Sequence, residues 1–293
     1  VLLTGRNEAY FSDYRGSAQE FVSLAKHGYL YQGQYYSWQG QARGKPAWDV
    51  EPYQFVNFLQ NHDQIANTPH GRRCHQLTAP GRFRAMTALL LLGPQTPMLF
   101  QGQEFGASSF FHYFLDCDSS IRETVRRGRI RFLSQFATMG SAEMQQFHPD
   151  PSDPGLFASC KLLQEERKHQ GEIYHLHKDL LDLRSSTPAF GLQQLGRVDG
   201  AVIGPQALVL RFFASPEEDR LLFVNFGFDL KLNTLGEPLL APPAATQWSI
   251  TWSSENPRYG GRGTVPLDRN GAWTIAGHAA LVLRPQSLSK ESE

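Results

Sequence analysis

Asn61, His62, Asp63 and Gln64 stand consecutively in the stretch FVNFLQNHDQIANTPHGRR, and Asn67 follows three positions later. A carboxylate beside an imidazole, just past an apolar run, is a common way to build an active site. Each side chain in this group can hydrogen-bond a neutral hydroxyl, so the chemistry would suit a polyol. The same residue types also cap strand-to-helix loops by bonding nearby backbone, and both readings stand on these residues alone. Hydrolysis by carboxylates takes more than one of them. Glu104 and Asp116 are the other candidate acids, with Gln101 and Gln103 next to Glu104. For Glu104 a structural hydrogen bond to a neighbouring loop is the favoured role. The loop that precedes the group, YLYQGQYYSWQGQARGKPAWD, offers Tyr35, Tyr36 and Trp38 as stacking surfaces.

Elements of regular structure must position these residues. Phe55 to Leu59 are continuously apolar, as expected of a strand buried on both faces of a parallel sheet. APGRFRAMTALLLLG predicts a helix, with Pro80 in its first turn and Gly93 just past its end. TPMLFQG predicts a second short strand. Strand, loop, helix, strand and loop make a right-handed βαβ unit, and in a (β/α)8 barrel the loops after the strands carry the chemistry. Upstream, SAQEFVSLAKHGY predicts a helix opened by a Ser17/Glu20 capping box and stopped at Gly28. Residues 120–165 read as irregular, with a turn-rich FHPDPSDPGLF. EIYHLHKDLLDLRSS predicts a helix with Ile173, Leu176, Leu180 and Leu183 on one face.

From about residue 195 the texture changes. ALVLRFFA, RLLFVNFG, WSITWSS, AWTIAG and AALVLRP are short β-rich runs split by Gly, Pro and Asn, the pattern of an antiparallel sandwich. The expected class is therefore α/β plus all-β, with the C-terminal part of a barrel over residues 1–190 and a β-sandwich over 191–286. The boundary is expected near Thr187–Leu192, and the tail 287–293 is expected to be disordered.

Bulk properties narrow the partners. Lys+Arg and Asp+Glu number 28 each in 293 residues, so nothing points to nucleic acid or a membrane surface, and a neutral ligand fits better. No apolar run is long enough to span a bilayer. Cys74, Cys117 and Cys160 are far apart and lack CxxC spacing, which argues against disulfides or zinc. Reduced thiols in a cytoplasmic protein are expected, with no metal and no cofactor. The adjacent Cys74 and His75 have no partner pair in sequence to complete a metal site.

Taken together, FLQNHDQIAN, GRR and LLLLGPQTPMLFQGQEFGASSFFHYFLD resemble the end of the catalytic barrel in the α-amylase family of glycosidases, and within it the maltooligosyltrehalose trehalohydrolases. LLTGRNEAYFSDY, YQGQYYSWQGQARG, PDPSDPGLFASCKL and WSSENPRYGG resemble further segments in the same order. The resemblance implies that Asp63 is the third carboxylate of the family's site, the transition-state stabiliser. It implies that His62 contacts a sugar hydroxyl and that Asn61, Gln64 and Asn67 line the substrate subsites. Gln64 separates the chain from branching enzymes, which usually carry an acid there. Ala66, Thr68 and Phe110 depart from the usual Gly, Arg and Pro. The substrate implied is maltooligosyltrehalose or a related α-glucan, split by a retaining mechanism.

The family's nucleophile lies in a G-x-R-x-D segment, and no stretch of this sequence matches it. The sequence opens at Val1 in what reads as mid-domain text. By order of segments, nucleophile and acid/base are expected upstream of Val1, and the chain alone is expected to be inactive. Two alternatives stay open: another α-amylase-type enzyme such as a branching enzyme, and a non-catalytic glucan-binding remnant.

Overall fold

The computed structural model describes residues 1–169, 171–232, 236–268 and 273–288. Helix α1 (Ala18–His27) forms where the capping box predicts it. The Ser17 hydroxyl accepts from the Glu20 N–H at 3.3 Å, and the Glu20 carboxylate accepts from the Ser17 N–H at 2.8 Å. Gly28 stops the helix at φ 83°. Only glycine suits that position, because a Cβ there would also lie 2.6 Å from the Phe55 ring. Strands β1 (Tyr35–Tyr36) and β2 (Gln41–Ala42) make a minimal hairpin inside the aromatic loop.

Strand β3 (Val56–Asn57), helix α2 (His62–Ala66), helix α3 (Pro80–Leu92) and strand β4 (Thr96–Pro97) follow. β3 and β4 pair in parallel, Val56 with Thr96 and Asn57 with Pro97, as a βαβ unit requires. Nine of the thirteen residues of α3 are buried, so it is a core helix rather than an amphipathic one. It packs between the helix over Glu172–Ser186 and the strands of the C-terminal sheet.

The expectation of a strand over Phe55–Leu59, buried on both faces, is corrected here. The paired segment is two residues long, Val56 is 55% exposed and Phe58 is 39% exposed. The reason is that β3 pairs only with β4 among the described residues, so its other edge and part of its surface stay open.

Residues 120–165 are also more regular than expected. They contain α4 (Arg122–Leu133), α5 (Ala142–Gln146) and α6 (Pro154–Ser159), and α7 (Gln164–Lys168) begins there. In α4, RETVRRGRIRFL, only Leu133 is buried, so charged residues hide the apolar period from a sequence reading. Helix α8 (Glu172–Ser186) forms as expected, with Leu176 and Leu180 fully buried, and α9 (Pro188–Gly191) leads into the β-rich half.

There β5 (Val198–Gly204), β6 (Ala207–Phe212), β7 (Arg220–Asn225), β9 (Thr246–Ser253) and β11 (Ala279–Ser287) form one antiparallel sheet in the order β5-β6-β7-β11-β9. β8 (Leu230–Leu232) and β10 (Trp273–Ile275) make a second, two-stranded layer. The period of two in β7 explains both cores. Leu222 and Val224 face α1, α3 and α8, while Leu221 and Phe223 face β8 and β10. Each such fully buried side chain contributes about 1.5–3 kcal/mol of apolar transfer. The first core is continuous from the helices into the sheet, for Leu91 and Ala88 share it with Leu210 and Val282. A buried ion pair crosses the same junction: the Arg84 guanidinium on α3 donates to Glu255 at 2.6 Å.

The start of the expected disordered tail is ordered instead. Ser287 ends β11, and the Leu288 N–H donates to the Ala245 carbonyl at 3.1 Å. Residues 289–293 lie outside the described residues. Among the described residues, no helix is long and apolar enough to cross a membrane.

Candidate active site

The site is built where the chain leaves β3. Asn61 is extended, at φ −135° and ψ −170°, and serves as the N-cap of α2. Its Oδ1 accepts from the N–H groups of Asp63 at 2.8 Å and Gln64 at 3.4 Å. Gln64 Oε1 accepts from the Asn61 N–H in return at 3.0 Å. This is a capping box, and it satisfies helix N–H groups that would otherwise have no partner. The loop-capping reading of these two residues is therefore what the geometry realises. Gln64 still reaches the adjoining cleft, which it helps to line.

His62 and Asp63 are different. Both side chains are 65% exposed, and His62 Nε2 stands 3.5 Å from the Asp63 carboxylate. Asp63 has no other hydrogen-bonding partner for its carboxylate among the described residues, so it is open to a ligand. Asn67, expected to line the substrate, is 3% exposed and is engaged at both ends of its amide. Its Nδ2 donates to the Tyr10 hydroxyl at 3.3 Å, and its Oδ1 accepts from Arg129 at 2.8 Å. Its side chain lies in the wall behind the site, held by these two bonds, and not in the open with His62 and Asp63.

That wall is aromatic. The Tyr10 ring meets Trp38 edge-on at 6.1 Å and Phe136 at 5.4 Å. Burial raises the Tyr10 phenol above its ordinary range, so it stays protonated. Burial also lowers the Arg129 guanidinium, against the charges of Tyr113, Asp63 and Tyr10, which raise it. A cleft of about 560 Å³ opens beside the wall, lined among others by Tyr10, Tyr14, Trp38, Phe58 and Gln64. Of the three expected stacking residues, Tyr35 and Trp38 are exposed, whereas Tyr36 is fully buried and is a core residue. Arg43 lies over its ring at 4.4 Å.

The second rim is tied to the first by Arg73, whose side chain is fully buried. It donates to the Gln101 carbonyl at 2.6 Å and the Ser109 carbonyl at 2.8 Å. Gln101 is exposed, but Gln103 is fully buried, and neither end of its amide has a partner among the described residues. Glu104 has no hydrogen bond to its carboxylate among the described residues, so the structural bond expected for it is not formed. Its charge acts on Arg73 and on His177 instead. Asp116 is exposed on a loop and joins none of these contacts. All three cysteines are free. Burial pushes the Cys74 thiol up to about 12 and the His75 imidazole down to about 4. Among the described residues, no group of three or more His, Cys, Asp or Glu side chains could hold a metal ion.

Sequence reading missed Tyr10 and Arg129. Neither carries a local signal, since each reaches the site through tertiary contacts, Tyr10 with Trp38 and Asn67, and Arg129 with Ala66 and Asn67.

A family profile described as "Domain of unknown function (DUF3459)" matches residues 195–282. Among curated proteins, malto-oligosyltrehalose trehalohydrolase of Deinococcus radiodurans is 35% identical over 79% of this chain and 38% of its own length. The enzyme of the same name from Rhizobium sp. is 34% identical over 69% of this chain and 33% of its own length. The chain is homologous to malto-oligosyltrehalose trehalohydrolases. It spans about a third of the length of these curated relatives, 38% and 33%. Among solved structures, a putative alpha amylase from Salmonella typhimurium superposes with a TM-score of 0.75 at 24% identity, covering 97% of this chain and 44% of that one. At that identity the likeness speaks for the fold.

Proposed function

We propose that the protein carrying this chain is a retaining glycoside hydrolase that cuts the α-1,4 bond next to the terminal trehalose unit of maltooligosyltrehalose. Trehalose and a shorter maltooligosaccharide are released. The observation that carries this reading is the 35% identity to a protein of that name over 79% of the chain. The geometry agrees with it. Asp63 offers an open carboxylate, His62 lies beside it, and Tyr10, Trp38 and Gln64 border the cleft.

In a retaining reaction one carboxylate attacks the anomeric carbon while a second protonates the leaving oxygen, and the transition state is oxocarbenium-like. Asp63 supplies a fixed negative charge and hydrogen-bond acceptors to that positive centre and the hydroxyls around it. Such an interaction strengthens as charge develops, so it raises the turnover rate more than ground-state binding. The nucleophile and acid/base belong, in this reading, to the part of the relatives' length that this chain does not span. The 293 residues alone then do not turn over substrate.

The test is product analysis with maltooligosyltrehalose. The complete protein should release trehalose, and the chain by itself should release none. Branched glucans among the products would make the protein a transferase, and full turnover by the isolated chain would contradict the placement of the other two carboxylates.

A further inference from the structure

Helix α2 has five residues, too few to hold its shape without outside support. Its N-terminus is fixed by the Asn61/Gln64 box. Its C-terminus is fixed from a distant part of the chain, by Arg129 on α4. One guanidinium nitrogen donates to the Ala66 carbonyl at 2.9 Å, which would otherwise lack a helical partner. Another donates to Asn67 Oδ1 at 2.8 Å. The Asn67 N–H in turn donates to the carbonyl of Asp63 at 2.9 Å. Two hydrogen bonds therefore separate the guanidinium from the backbone of the open carboxylate.

The arginine is itself held in place. Its guanidinium lies 4.9 Å from the Tyr113 ring centre and 5.6 Å from that of Phe132. The planar fork explains why arginine serves here, because it bridges two acceptors at fixed angles where an ammonium would reach them as a point charge. The same Asn67 amide joins α2 to Tyr10 and so to the aromatic wall. Moving Arg129 would shift Asp63 relative to the surface against which a sugar ring would rest. Displacements of about 1 Å can cost on the order of 100-fold in rate.

We propose that Arg129 is a positioning residue for Asp63, holding the end of α2 through Ala66 and Asn67 so that the carboxylate keeps its register with the Tyr10–Trp38 wall. This rests on the reading of Asp63 given above. The geometry also gives Asn67 its task, which is to transmit that hold rather than to touch substrate.

The experiment measures kcat and KM for trehalose release by the complete protein carrying Arg129→Gln or Arg129→Lys, each alone and combined with Asp63→Asn. Arg129→Gln should lower kcat by about ten-fold or more with KM within about three-fold, and Arg129→Lys should recover part of the loss. In the Asp63→Asn background, Arg129→Gln should cost no more than about two-fold, because residues acting through one another are not additive. A general loss of folded structure would instead lower the rate by the same factor in both backgrounds. If Arg129→Gln does not fold, Arg129→Lys carries the comparison, since it keeps the charge and most of the bulk. Wild-type kcat in both Arg129 variants while Asp63→Asn is inactive would overturn the proposal and leave the reading of Asp63 intact. Full multiplication of the two losses would also overturn it. Normal turnover by Asp63→Asn would overturn both.

Discussion

Asn61 allows the cap and the sugar-contact roles to be separated by experiment. Asn61→Ala removes the acceptor that holds the Asp63 and Gln64 N–H groups at 2.8 and 3.4 Å. The return bond from the Asn61 N–H to Gln64 Oε1, 3.0 Å, then loses its reciprocal partner. Replacing an N-cap by alanine costs about 0.5–2 kcal/mol, and the loss of a two-sided box places this case at about 1–2 kcal/mol. Because α2 is short and at the surface, that energy should appear as local opening rather than as a large change in global melting. Amide hydrogen exchange at Asp63 and Gln64 reads it directly. A cost of about 1–2 kcal/mol should accelerate exchange at both amides by about 5- to 30-fold. Asn61→Ser keeps a cap acceptor and should stay within about three-fold of wild type. Trehalose release by the complete protein supplies the second readout. If Asn61 acts only as a cap, Asn61→Ser should keep near-normal activity. Unchanged exchange in Asn61→Ala would refute the capping argument. Normal exchange with lost activity in Asn61→Ser would show that the amide touches substrate.

Two further outcomes follow from buried charge and buried imidazole. Arg84 and Glu255 are 8% and 9% exposed in the side chain, so Glu255→Ala leaves a buried guanidinium unpaired and should cost about 3–5 kcal/mol in urea unfolding. Arg84→Met combined with Glu255→Leu should regain most of that loss, and a small effect of the single change would contradict the pair's role. For His75, burial first, then Arg73 and His177, pushes the folded pKa down to about 4 from 6.5. The unfolded chain therefore binds the extra proton between these values, and stability is full above about pH 6.5 and falls as pH drops toward 4. With partial exposure allowed for, the loss from His75 is on the order of 2 kcal/mol. His75→Gln should flatten that part of the pH dependence of the urea midpoint, leaving the portion due to His177, His112, His148 and His278, whose pKa values are also lowered by burial. An unchanged slope would refute the assignment.

Much of the scaffold was legible because local and global signals agree. Ser17 and Glu20 announce α1, Pro80 and Gly93 bracket α3, and the spacing of Leu176 and Leu180 marks α8. Where the reading failed, the physical signal was weak or ambiguous. The arginines of α4 hide its period, and β5 carries two glycines at Gly200 and Gly204. The apolar run at β3 suggested burial on two faces, but burial depends on neighbouring strands that a run of side chains cannot specify. The same ambiguity applies at the site. Asn, Asp and Gln bond backbone or ligand with the same atoms, and only the fold divides Asn61 and Gln64, in the cap, from His62 and Asp63, in the open. Tyr10 and Arg129 were invisible because their roles arise from contacts across 57 and 62 residues of sequence.

The most direct test of the central claim is the turnover of the complete protein with Asp63→Asn on maltooligosyltrehalose. The substitution keeps the size of the side chain and removes its charge. Trehalose release should fall by orders of magnitude, with KM changed far less, because the interaction is made chiefly in the transition state. A kcat near that of the unaltered protein would remove Asp63 from the mechanism.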